Sequence, residues 1–179
     1  MLSRIFDFYN KYKALNIFLF KALLFYAAWV LVYENWLHPE GNIDRWVIDN
    51  LIYFTRIILT SLNYELIPLP HPDDFIRTVG IDGSHGVWVG DPCNGLSLFA
   101  LFTGFIFSYT GKIKHKIWFT ILGLLIIHFS NVLRIAALAI ILYYAPETLD
   151  FNHTYTFTIL VYSIVFVLWI AWANKFSKL

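Results

Sequence analysis

Four long apolar runs divide the chain, and their lengths predict four membrane crossings. The first run occupies 15–33. A helix of that length, at about 1.5 Å per residue, crosses a hydrocarbon core of about 30 Å, with Lys21 snorkelling from near its start. No small-x-small cleavage site follows it, so an uncleaved anchor is expected rather than a signal peptide. The other runs are 96–111, 117–145 and 155–173.

Residues 43–67 follow a different rule. Apolar residues recur at helical spacing, but Asp44, Arg45, Asp49, Arg56 and Glu65 interrupt them. That pattern predicts an amphipathic helix, lying along the interface or packed on other helices. Pro68, Pro70 and Pro72 are expected to end it, because proline lacks a backbone donor and forces extended geometry. Over 76–90 the period falls to two. Ile76-Arg77-Thr78-Val79 and Val87-Trp88-Val89 flank Asp82-Gly83-Ser84-His85-Gly86, which predicts a β-hairpin with a Gly-rich turn. A lone hairpin cannot satisfy its edges in lipid, which places it in water.

Composition turns the pattern into a class. Of 179 residues, 59% are hydrophobic and 14% charged, against roughly 25% charged in soluble domains. A soluble fold this short could not hide so much apolar surface, so lipid is the solvent for much of it. Seven Trp, eleven Tyr and seventeen Phe suit a chain with several membrane interfaces. A net charge of +1 without a basic stripe argues against a nucleic-acid partner. The expected fold is all-α and polytopic: one membrane domain over 1–179, with about four transmembrane helices, an outer-face amphipathic helix and a small extracytoplasmic β-hairpin.

Charge supplies the orientation. Arg4, Lys11 and Lys13 precede the first run; Lys112, Lys114 and Lys116 follow the second; Lys175 and Lys178 follow the fourth. The positive-inside rule puts all of them, and both termini, in the cytoplasm. Segments 34–92 and 145–154 then lie outside, and every acidic residue except Asp7 agrees. A fifth crossing at 43–67 would break this agreement.

Three reactive side chains now fall at one depth. Cys93 precedes the second span and His153 the fourth, both at outer ends. Arg134 lies 17 residues past position 117, roughly 26 Å across the core. Each has a bland reading. A lone cysteine, which excludes an intrachain disulfide, is more often a small buried hydrophobe than a nucleophile. Here Pro92 and Asn94-Gly95 predict a helix start beside it, whose partial positive charge favours a thiolate. A histidine in a short aqueous loop is usually just solvated, and His38, His71 and His85 are read that way. An arginine in an apolar run costs free energy, which makes it a functional-site candidate, with snorkelling to headgroups as the alternative. Asn131, one turn before Arg134, is placed to orient it or to stabilise the helix. His128, roughly 16 Å into the span, is expected to serve core hydrogen bonding.

Together the three fit thiol-based acyl transfer. A thiolate attacks a peptide carbonyl, an imidazole exchanges protons with thiol and leaving amine, and a guanidinium stabilises the oxyanion. The competing reading is a non-enzymatic assembly or transport subunit in which Arg134 is structural. A metal site of His71, Asp73, Asp74 and His85 matches no ligand spacing, and a Pro-rich polar loop accounts for those residues. No metal and no cofactor are expected.

The order Pro92-Cys93-Asn94-Gly95-Leu96, then Asn131-Val132-Leu133-Arg134-Ile135, then Phe151-Asn152-His153 resembles the exosortase/archaeosortase family. Most specific is the Asn-x-x-Arg-Ile-Ala stretch, followed by a Leu/Ala-rich helix with a Tyr-Tyr-Ala end. The resemblance covers about residues 85–173 and looks like a short, core-only form. It implies a membrane-embedded cysteine transpeptidase of the cell (inner) membrane, with its active site extracytoplasmic. The partners implied are exported proteins whose C-terminus carries a short motif, a transmembrane helix and a basic cluster. By the same resemblance Cys93 is the nucleophile, Arg134 the transition-state stabiliser and His153 the acid/base. The chain departs from the family at Pro92 and Asn94, where a small pair is commoner, and at Thr154, where an aspartate often follows the histidine. Asn152 or Asp150 is then expected to orient the imidazole.

Overall fold

The computed structural model describes residues 12–69, 71 and 76–177. Arg4, Asp7, Lys11, Pro70, Pro72, Asp73, Asp74 and Lys178, with what the sequence predicted for them, lie outside these residues.

Helix α1, Lys13–Val32, continues through a π turn at Tyr33–Leu37 and a short helical turn at His38–Glu40. Pro39, which donates no hydrogen bond and crowds the carbonyl four residues back, falls just past the widened turn. Gly41 ends the run in the left-handed region, with φ +66°. No residue of α1 is fully buried. It packs mainly on a helix near Phe25, whose ring lies where a side chain on Gly104 would have to go.

Helix α2, Asn42–Ser61, is the expected amphipathic element. Its buried stripe is Asp44, Val47, Ile48, Leu51, Ile52, Thr55 and Leu59, a three-and-four spacing that keeps one face inward. The prolines do not end it. The helix stops at Ser61, where Asn63 takes φ +64°. The Asn63 amide donates to the Thr60 carbonyl at 2.9 Å and the Tyr64 amide to that of Leu59 at 3.2 Å. This is a Schellman cap, with asparagine in the left-handed position that its short polar side chain tolerates.

The hairpin is shorter than its sequence pattern, with β1 at Thr78–Val79 and β2 at Val87–Trp88. Thr78 stands opposite Trp88, and Val79 opposite Val87. It is not a lone hairpin. Leu66 bridges Ile81, the Ile67 amide donates to the Gly80 carbonyl at 3.1 Å, and the Asp82 amide to that of Glu65 at 2.8 Å. Residues 65–67 thus cover one edge, which reduces the unpaired backbone an isolated pair would leave.

Helix α3, Leu96–Ser108, spans 13 residues, about 20 Å. Its far end is closed by Lys116, whose Nζ donates to the carbonyls of Phe107 and Tyr109 at 2.9 and 2.6 Å. Helix α4, Ile113–Tyr144, is 32 residues and about 48 Å long. The final stretch, Pro146–Phe176, is helical throughout: α5, Phe157–Ala171, lies between π turns at Asn152–Thr156 and Trp172–Phe176. The loop expected over 145–154 therefore shrinks to Ala145, and His153 sits within helix.

Lys13–Glu40, Ile113–Tyr144 and Pro146–Phe176 are long and apolar enough to cross a membrane, and α3 is a shorter apolar helix beside them. The chain is an all-α polytopic membrane protein. Among the described residues two apolar cores fill it: one joins α2, the hairpin and the distal half of α4 around Leu51, Val79 and Val132; the other joins α3, α4, α5 and the π turn after it around Phe102, Ile127, Val165 and Trp172.

Candidate active site

The turn before α3 is built from four residues with separate duties. Asp91–Cys93 forms one 3₁₀ turn, in which the Cys93 amide donates to the Gly90 carbonyl at 2.8 Å. The Asn94 amide donates to Asp91 at 3.2 Å, and the Asn94 side-chain oxygen accepts from the Leu96 amide at 2.8 Å. Gly95, at φ +85°, then turns the chain into the helix, which begins three residues beyond the cysteine.

Helix α4 holds this turn from the side. Asn131, buried, donates from Nδ2 to the Cys93 carbonyl at 2.7 Å. Its partner is therefore the cysteine's backbone and not Arg134, because residue 131 faces α3 from within the packed core. A Cβ on Gly95 would come within 3.3 Å of the same Nδ2.

The last helix brings His153 to the thiol. Cys93 Sγ lies 3.6 Å from His153 Nε2, and both residues are half-buried. The π turn at Asn152–Thr156 carries the imidazole, and its backbone carbonyl accepts from Thr158 Oγ1 at 3.2 Å. Widened turns of this kind recur at functional sites. The charge of Arg134 acts on the His153 ring, as does that of Asp150 with opposite sign. Among the described residues, the half-buried Arg134 guanidinium takes part in no hydrogen bond or ion pair. Asn152 is turned away: its Nδ2 donates to the Thr148 carbonyl at 2.9 Å, one turn back on its own helix.

The last turns of α4 pack against Tyr64, whose hydroxyl lies 3.4 Å from that of Tyr144.

His128 does not join the group. Among the described residues its Nε2 is buried without a hydrogen-bond partner, and its ring packs edge-on against Phe54 and Phe129, with centroids 6.3 and 5.6 Å away. Core hydrogen bonding fails there because its close neighbours are phenylalanines, which offer no acceptor.

One polar cluster was missed from the sequence. Asp44, 2% exposed, accepts from Tyr33 Oη at 2.7 Å and from Asn94 Nδ2, and lies 3.4 Å from His38 Nδ1. A signal for it existed. Asp44 is in phase with Val47, Ile48, Leu51 and Ile52, so the carboxylate had to share their buried face.

The chain matches the family model described as Transmembrane exosortase (Exosortase_EpsH) over residues 13–171. No curated protein and no solved structure matches it. The family match reaches back across α1 and α2, where no motif had signalled it. Over nearly its whole length, then, the chain belongs to the transmembrane exosortase family.

Proposed function

We propose that this chain is a membrane-embedded cysteine peptidase or transpeptidase that cleaves the C-terminal sorting signals of exported proteins. The observation that carries the reading is the 3.6 Å approach of Cys93 Sγ and His153 Nε2, from elements 60 residues apart. His153 takes the thiol proton as Cys93 Sγ attacks the carbonyl carbon of the scissile peptide bond. Electrons move onto the carbonyl oxygen. The amides of Cys93 and Asn94 are already spent within their own turn, which favours a side-chain donor for the oxyanion. Arg134 supplies it: always charged, a rigid fork of N–H groups, and unpaired among the described residues. Collapse of the intermediate breaks the C–N bond, and His153 returns the proton to the leaving amine. A thioester remains on Cys93. Water or an amine then attacks it, giving hydrolysis or transfer.

The setting follows the charges. With Lys112, Lys114, Lys116 and Lys175 on the cytoplasmic side, both termini are inside and the site faces outward from the cell (inner) membrane. A site near the outer interface meets substrates where a transmembrane segment emerges into water. Those substrates carry a short motif, a transmembrane helix and a basic cluster at the C-terminus. In cells expressing the chain with such a substrate, Cys93→Ser should leave the substrate's C-terminal tail attached while the variant still inserts in the membrane. Unchanged processing by Cys93→Ser contradicts the reading.

A further inference from the structure

Asp44 is a carboxylate placed where burial costs several kcal/mol unless its oxygens are hydrogen-bonded. Its partners come from three different segments. Tyr33 Oη arrives from the π turn after α1, His38 from the next helical turn, and Asn94 Nδ2 from the turn that carries Cys93. Stacked rings stiffen the first two, with centroids 5.1 Å apart for Trp29 and Tyr33 and 5.3 Å for Tyr33 and His38. His38 Nδ1 also lies 3.9 Å from Asp91 Oδ2. The cysteine is therefore bracketed. Asp91, two residues before it, is reached through His38, and Asn94, immediately after it, is held directly.

The chemistry at Asn94 gives the contact its direction. A carboxylate accepts and never donates, so Asn94 must present its NH₂ to Asp44. Its carbonyl oxygen is thereby turned to the Leu96 amide, which it receives at 2.8 Å, and the start of α3 is capped. Reversing the amide would set oxygen against oxygen and leave the Leu96 amide uncapped.

We infer that Asp44 is a positioning residue: by fixing the Asn94 amide it holds the turn that aims Cys93 at His153. The inference rests on the reading that Cys93 reacts. A turn released by an ångström costs on the order of 100-fold in rate without touching any reacting atom.

The test uses the full chain in membranes, with two readouts: kcat and KM for substrate processing, and the alkylation rate of Cys93 by a membrane-impermeant reagent. Asp44→Leu should lower kcat by about tenfold or more with little change in KM, and Asn94→Ala should do the same. The double variant should be no slower than the slower single, since both break one contact. Asp44→Asn should recover most of the rate, because one amide oxygen can accept from both Tyr33 and Asn94. Alkylation rates should follow the same non-additive pattern. Wild-type kcat in Asn94→Ala, deficits that multiply in the double variant, or an Asp44→Asn as slow as Asp44→Leu would each overturn the inference. If Asp44→Leu does not accumulate, Asn94→Ala and Asp44→Asn decide alone. Alkylation needs no turnover. Unchanged processing by Cys93→Ser would therefore sink the catalytic reading, while additive alkylation deficits would sink only the positioning role.

Discussion

Cys93 Sγ and His153 Nε2 lie 3.6 Å apart, although one closes a 3₁₀ turn before α3 and the other sits in a π turn leading into α5. Neither position is shaped by local hydrogen bonding to the other, so the contact is a product of tertiary packing. If the imidazole is the acid/base, His153→Ala should reduce kcat by roughly 10²–10⁴. KM and the amount of inserted protein should stay close to wild type. Steady-state kinetics on matched membrane preparations measures this, and a wild-type kcat counts against the role.

Arg134 separates the enzymatic account from a structural one. As an oxyanion donor its loss should cost roughly 10²–10³ in kcat, with protein levels preserved. Arg134→Lys should restore the charge but only part of the rate, because a point charge does not reproduce a planar fork. A merely structural arginine would show the opposite split: lower protein levels in Arg134→Ala and unchanged kcat per folded molecule.

Gly95 is bound to its place by conformation and by space. A side chain there would carry about 1–2 kcal/mol of left-handed strain and crowd Asn131 Nδ2 at 3.3 Å. Gly95→Ala should lower thermal stability and kcat together. Asn131→Ala should cost about 0.5–1.5 kcal/mol of stability through the lost bond to the Cys93 carbonyl. Thermal melts of the two variants beside their activities test both.

Asn63 offers a control away from the site. Its left-handed φ of +64° makes Asn63→Gly neutral or slightly stabilising, whereas Asn63→Val should destabilise by about 1–2 kcal/mol. Pro68→Ala should leave α2 unchanged, since the helix has ended seven residues earlier. Denaturation curves distinguish this cap from termination by proline.

Much of this was readable in the chain because lipid and helix geometry are simple rulers. Run lengths and lysine positions led to the expectation that Cys93, Arg134 and His153 share one depth, and the structure brings Cys93 and His153 within 3.6 Å of each other. What depth cannot give is azimuth. Asn131 faces the Cys93 carbonyl and Asn152 faces Thr148, and no one-dimensional spacing separates those outcomes. The end of α2 was misread because proline is a louder signal than asparagine, although the turn at Asn63 lets the amides of Asn63 and Tyr64 satisfy the carbonyls of Thr60 and Leu59 first. Asp44 was passed over for a similar reason. It was counted as a charge interrupting an apolar pattern, when its phase put it inside.

Cleavage through Cys93 leaves a covalent trace. Incubating the chain with its substrate, quenching in acid and analysing the Cys93 peptide by mass spectrometry tests it most directly. A substrate fragment should be found joined to Cys93 as a thioester, released by hydroxylamine and absent from Cys93→Ser. Efficient processing without any Cys93 adduct, under conditions that stall the second step, would contradict it.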